Sequence, residues 1–411
     1  MRQVVRRVRT KADTEAFPIG AGISSKALAR DPYPYYAQLR SHEPISWIKE
    51  LGMWYVTRYQ DVRAILMDDR RFTTVSEESL IFDTFGAQML SSEGIEHERY
   101  RRPVRPYFAA GYVRKSFEAS IELSARALVA EFAAAQVVEM RRAFAARLPV
   151  LTILRVFGMP LEAETHFRKW YDSFEAALAN FTGAEEIRRA AHVNVEQCHE
   201  YLARTMQELA AKGEREGESL LGALVNAPGN ARLGDDEIRR NLLIIFFGGI
   251  STVEAVILNS FWALLTHPET LARVRANPSL TAKVVEETLR WHSPVQSATR
   301  HVLETTVYGD IEFAVGDTVN CMLGAANRDA ALFPDPDRFD IERPNVQRHL
   351  GFATGPHSCL GFNLAKAQAR IAVQVLLSEF ASLELLTPGA SAPQGYEFHQ
   401  PRSMYVRCGQ G

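Results

Sequence analysis

Gly351-Phe352-Ala353-Thr354-Gly355-Pro356-His357-Ser358-Cys359-Leu360-Gly361 is the stretch from which this chain is read. One cysteine sits in a loop with glycines on both sides. Phe362-Asn363-Leu364-Ala365-Lys366-Ala367-Gln368-Ala369-Arg370-Ile371 follows, with the alanine-rich spacing of a helix. Cys359 therefore lies just before or at a helix N-terminus. Unpaired amides and the positive end of the dipole favour a thiolate there. Such a thiolate is either a nucleophile or a metal ligand. A buried free thiol in a turn is the ordinary alternative for a cysteine taken at random.

The loop resembles the haem-ligand loop of the cytochrome P-450 family, F-G-x-G-x-H-x-C-x-G. Phe352, Gly355, His357, Cys359 and Gly361 match, and Ala353 stands where the family has glycine. The resemblance implies haem b (iron protoporphyrin IX), with Cys359 as the metal ligand. Its thiolate pushes electron density toward O–O cleavage. Gly355 and Gly361 would let backbone approach the porphyrin or the sulfur. Amide donors aimed at sulfur would tune the iron.

Composition sets outer limits. The chain has 411 residues, 46% hydrophobic and 23% charged, ample for a large core. No Gly/Ser- or Pro-rich linker divides it, so 1–411 reads as one domain with a flexible tail over residues 1–20. The basic start, Met1 to Arg9, is followed by no apolar run, so neither a signal peptide nor a membrane anchor is expected. A formal net charge of −2 gives a nucleic-acid partner no electrostatic support. Cys198, Cys321, Cys359 and Cys408 are irregularly spaced, which suits a reducing cytoplasm better than a disulfide framework.

Asp235 to Thr266 holds a helical pattern over 32 residues, about 48 Å at the usual rise. Gly248-Gly249-Ile250-Ser251-Thr252 lies near its centre. Two adjacent glycines cost about 2 kcal/mol relative to alanines, so something needs the space. Close helix packing is the plain alternative. Thr252 follows Gly248 by four residues, and its hydroxyl can bond the carbonyl of residue 248 and open a kink. The segment resembles the family's oxygen-binding helix, A/G-G-x-D/E-T, with Ser251 where the acid stands. That resemblance makes Gly248, Ser251 and Thr252 catalytic candidates. Glu254 is a weak substitute acid, because its offset from Thr252 turns it to another face. Ile244 and Phe247 would roof an apolar substrate pocket.

The remaining candidates are scattered. His97 and Arg101 share one helix face; alone they read as a solvated basic face, and the resemblance makes them donors to the haem propionates. Arg300 matches a second propionate arginine. Thr73 to Leu90 reads as a loop carrying Phe82, Phe85 and Met89, which either cover the substrate or tuck into the core. Phe174, Leu178 and Phe181, before Thr182-Gly183, either form a lid over a pocket or pack into the core. Val295 and Phe398 are further candidate substrate contacts. Glu287 and Arg290 would ordinarily be a surface pair. The family's E-x-x-R pattern makes them, with Arg343, a buried network that locks the approach to Cys359. Hairpins are expected about Leu51-Gly52, Gly309-Asp310 and Gly316-Asp317.

The expected fold is mainly α with a small β region, a cytochrome P-450 fold in which a long distal helix and a proximal cysteine loop sandwich haem. The expected activity is that of a haem-thiolate monooxygenase. It would place one oxygen atom from O2 into an apolar small molecule, by hydroxylation or epoxidation. Electrons are expected from an external ferredoxin or flavodoxin with an NAD(P)H-dependent reductase. Arg102, Arg105, Arg114, Lys115 and Lys366 offer a docking face. Ser251 keeps two alternatives open: peroxide-driven or non-oxygenating turnover, and a haem protein that binds a ligand without catalysis. No nucleic acid and no membrane is expected, and a cytoplasmic location is expected.

Overall fold

The computed structural model describes residues 9–12, 14–180, 183–212, 219–229 and 232–409. The helices used below are α1 (Tyr59–Leu66), α2 (Leu80–Phe85), α3 (Gly94–Val104), α4 (Leu148–Phe157), α5 (Glu164–Leu178), α6 (Glu185–Lys212), α7 (Asp235–Gly248), α8 (Ser251–Thr266), α9 (Thr281–Trp291) and α10 (Phe362–Glu379). The strands are β1 (Ile45–Ile48), β2 (Met53–Val56), β3 (Phe72–Thr73), β4 (Val137–Glu139), β5 (Ser297–Val302), β6 (Thr306–Tyr308), β7 (Ile311–Phe313), β8 (Thr318–Met322), β9 (Ser382–Leu385) and β10 (Tyr405–Gly409). Contacts divide the chain into two units. The first comprises residues 1–74, 262–359 and 389–402, and the second 75–261, 360–388 and 403–411.

The first unit is built on a sheet of order β1-β2-β8-β5-β3. Gly52, at φ +62, closes the expected β1–β2 hairpin, in which Ile45 opposes Val56. β2 then pairs parallel to β8, with Trp54 opposite Val319, and β8 pairs antiparallel to β5. Gly309, at φ +66, turns the separate β6–β7 hairpin. The β-branched and aromatic residues of these strands explain the sheet. Trp54 packs edge-on against Phe17 and Phe313 at 5.2 and 5.4 Å.

Phe17 corrects the reading of residues 1–20 as a tail. It is 1% exposed and belongs to the core around Trp54. Arg9 N donates to Asp310 O at 2.8 Å, and Lys11 Nζ lies 2.6 Å from Asp317 Oδ1. Residues 1–8 lie outside the described residues. Burying one phenylalanine is worth about 1.5–3 kcal/mol, and it acts together with the contacts of Arg9 and Lys11.

The second unit is helical, with a sheet of order β4-β10-β9. Apolar residues at three-four spacing bury one face of each helix. All of α4 except Arg155 is buried, and Gly158 ends it in the left-handed conformation at φ +76. The expected loop from Thr73 to Leu90 holds a short helix instead. Ser79 Oγ accepts from Phe82 N at 3.2 Å and starts α2. Phe181 and Thr182 of the candidate lid lie outside the described residues. The expected single helix of 32 residues is divided into α7 and α8 at Gly249–Ile250. That stretch is long and apolar enough to cross a membrane, but 83% of its most apolar window is buried, as in a core helix.

Candidate functional site

The cysteine loop is fixed by its own backbone. Ala353 N donates to Leu350 O, Ser358 N to Gly355 O, and Cys359 N to Phe352 O, at 2.8, 3.1 and 2.9 Å. Ala353 adopts φ +54, the left-handed conformation that the family's glycine takes without penalty. An alanine there costs about 1–2 kcal/mol, yet its methyl packs against the core that holds Trp54. Gly355 is at φ +82, and a Cβ would come within 2.4 Å of Leu66 O at the end of α1. Its need for glycine thus comes from the protein's own backbone. Gly361, the N-cap of α10, differs: a Cβ there would meet nothing within 4 Å. Thr74 Oγ1 lies 3.4 Å from His357 Nε2.

A buried charge network anchors this loop. Arg290 Nε and Nη2 donate to the two Glu287 oxygens at 2.8 and 2.6 Å. Arg343 Nε and Asp340 N add to Oε1 at 3.2 and 2.9 Å. The spare guanidinium hydrogens go to main-chain carbonyls of Asn327, Pro334, Asp335, Pro336 and Arg338. Burial lowers the Arg290 pKa from its usual value, and Glu287 opposes that. Every hydrogen-bonding group of the triad is engaged, as buried charge requires. Asn327 carries the hold onward: its Oδ1 accepts from Leu350 N at 2.6 Å. A Cβ on Gly351 would lie 3.0 Å from Leu289 O, so the loop begins directly on α9.

In the second unit the two central glycines separate. Gly249 is packed, since a Cβ would sit 2.7 Å from Ile153 Cδ1 on α4. Gly248 is open, since a Cβ would meet nothing within 4 Å although Leu242 to Phe247 are all buried. Thr252 Oγ1 donates to Gly248 O at 2.8 Å, as the spacing predicts. Ile250 N takes Phe247 O at a stretched 3.4 Å before Glu254 N resumes regular bonding to Ile250 O at 2.9 Å. Ser251 turns away from Thr252, and its hydroxyl donates to Glu175 Oε1 at 3.0 Å. Glu254 is buried against Arg141, which places it on another face, as expected.

The other candidates divide the same way. Arg300 lies buried on β5 with Nη1 on Thr299 O at 2.8 Å, and Val295 bridges antiparallel to Phe398; all three belong to the first unit with Phe352, His357 and Cys359. In the second unit, His97 is buried and Arg101 half-buried on α3. Phe85 packs on Phe174 and Phe247 at 5.3 and 5.6 Å, and Tyr171 stacks on Phe247 at 5.8 Å. Ile244 is buried one turn before Phe247, and Phe82 is half-buried. Sequence reasoning missed Glu175 and Arg141, since nothing in the chain signals contacts over such separations.

The donor chemistry suits haem. Burial pushes the thiols of Cys198, Cys321 and Cys408 up, Cys321 to about 12 and Cys408 to about 11. Cys359 alone of the four is not buried. Among the described residues no three His, Cys, Asp or Glu side chains cluster to hold a metal. A lone accessible thiolate fits an iron whose other ligands come from a porphyrin. The open turn at Gly248 leaves room for such a group in the second unit.

Comparison with known proteins agrees. The Cytochrome P-450 family model matches residues 151–389. Cytochrome P-450 107B1 of Saccharopolyspora erythraea is 33% identical, over 87% of this chain and 90% of the relative. The mycinamicin IV hydroxylase/epoxidase of Micromonospora griseorubida is 32% identical, over 86% of this chain and 89% of the relative. The crystal structure of CalO2 matches with a TM-score of 0.85 at 30% identity, over 94% of this chain and 98% of that one. The thiolate loop, the opened helix and these matches lead to one conclusion: the chain belongs to the cytochrome P-450 family and is a haem-thiolate monooxygenase that binds haem b.

Proposed function

We propose that the enzyme hydroxylates or epoxidises an apolar small molecule, drawing electrons from a ferredoxin or flavodoxin and its NAD(P)H-dependent reductase in the cytoplasm. The observation that carries this reading is Cys359, the one accessible thiol, held by Phe352 O at the end of a loop tied to a buried charge network. When bound, haem supplies the iron that activates O2. Cys359 would ligate it, with Phe352, His357 and Gly361 supplying the surrounding loop. His97, Arg101 and Arg300 would hold the propionates through charge-assisted bonds. Thr252 offers its hydroxyl at the open turn beside Gly248. Phe82, Phe85, Ile244, Phe247, Val295 and Phe398 present apolar surface to the substrate and exclude water. Residues 1–411 act as one functional domain, which fits relatives matched over about nine tenths of their own length.

The test is Cys359→Ser. The reduced carbon-monoxide spectrum of a thiolate haem should vanish, and an unchanged band rejects the ligand assignment. A difference-spectrum screen of apolar compounds against the ferric protein then identifies the substrate class. Ser251, turned toward Glu175, favours one rival. If turnover is peroxide-driven, H2O2 sustains it better than NAD(P)H with reductase proteins.

A further inference from the structure

Monooxygenation needs protons. R–H, O2, two electrons and two protons give R–OH and water. Protons must reach a helix whose residues Leu242 to Phe247 are buried and apolar. The buried polar side chains just beyond are Ser251 and Glu254. Ser251 donates to Glu175 Oε1 at 3.0 Å, and the Tyr171 hydroxyl meets the same oxygen at 3.3 Å. Beside them runs a cleft of about 160 Å³ lined by Arg141, Arg142, Arg168, Tyr171, Asp172 and Glu254. Arg142 and Asp172 are exposed at its rim, whereas Glu254 is buried at its floor. A polar space of that size holds water.

We infer that Glu175, acting through the Ser251 hydroxyl, hands protons to the opened turn at Gly248–Ser251, and that this cleft refills it from solvent. The inference rests on the monooxygenase reading above. Protonated Glu175 gives its hydrogen to Ser251 Oγ as that oxygen passes its own hydrogen to a water at the opened turn, which carries the proton on. The carboxylate left behind takes the hydrogen of the Tyr171 hydroxyl, 3.3 Å away, as Tyr171, which lines the cleft, takes one from its water. One O–H bond forms for each that breaks, and no electron moves. The charged groups around Glu175 are Arg141, with Glu139 of β4 behind it, Glu254 on α8, and Asp172 on α5. Burial lifts Glu254 to about 7 against the pull of Arg141, and raises Asp172 as well.

The experiment uses the haem-loaded protein. Oxygen uptake driven by NADPH through a surrogate ferredoxin and reductase serves as the probe, because O2 takes up protons with or without an identified substrate. Glu175→Gln should keep the reduced carbon-monoxide band and lower uptake roughly tenfold or more, with a larger solvent deuterium isotope effect. Ser251→Ala should do the same without touching Glu175. Ser251→Asp added to Glu175→Gln should restore uptake. Infrared pH titration should show one carboxyl band of the parent missing in Glu175→Gln. Wild-type uptake and isotope effect in both single variants overturn the inference. A parent protein without the carbon-monoxide band overturns the haem-thiolate reading instead.

Discussion

A methyl placed on Gly249 would crowd Ile153 Cδ1 at 2.7 Å, whereas one on Gly248 meets nothing within 4 Å. The two readings of the glycine pair, packing and open space, thus hold for one residue each. Gly249→Ala should cost about 1–3 kcal/mol by overpacking. Gly248→Ala should gain up to about 1 kcal/mol of stability from helix propensity while depressing turnover. Denaturant melts and NADPH-driven oxygen uptake on both variants check this; parallel losses of stability would rule out the open turn. At the thiolate loop, Ala353→Gly should add about 0.5 kcal/mol, because relief of the left-handed alanine exceeds the entropy gained by the unfolded chain. Cys359 and Thr252 were legible from the sequence because their neighbours form short local patterns. Gly355 was legible as a glycine but not in its cause, since Leu66 is nearly three hundred residues away in the chain.

The helix α9 shows what a single element contributes. Its Glu287 receives both guanidinium groups and the Asp340 amide. Glu287→Ala leaves two buried cations with no carboxylate, and should cost about 3–5 kcal/mol. Thermal melting of the haem-free and haem-loaded proteins measures it; a loss under 1 kcal/mol would mean that water reaches the site. This triad was legible only through the resemblance to the family's E-x-x-R pattern, since a pair one helix turn apart reads by itself as a surface salt bridge. The contact of Ser251 with Glu175 was not, since it joins two helices 76 residues apart. Nor was the break at Gly249–Ile250 fixed to a residue, because an apolar 3.6-residue repeat runs unbroken through it.

Across the molecule, pH dependence follows from buried groups. Glu254 holds its proton up to about pH 7 in the folded chain and loses it near 4.5 when unfolded. Stability therefore falls as pH rises between those values, by about 3 kcal/mol. Wild-type melting does not isolate this term. His399, held down to about 4 by burial, contributes stability that is lost as pH falls through much of the same range. Glu254→Gln should thus gain on wild type by about 3 kcal/mol between pH 5 and pH 8, read from paired urea titrations; a constant difference would refute it. The fold class was legible at this scale, from helical periodicity and a few hairpin turns. The division into two units was not, because each is assembled from three separate stretches of chain. That interleaving bears on synthesis. Trp54 finds its Asp317 partner across 263 residues, so on the ribosome the β2 edge waits on the order of 13–50 s for β8 to emerge. During that interval a nascent hairpin offers unpaired backbone to its neighbours. Yield in a foreign host should therefore depend on slower translation and abundant holdase chaperones.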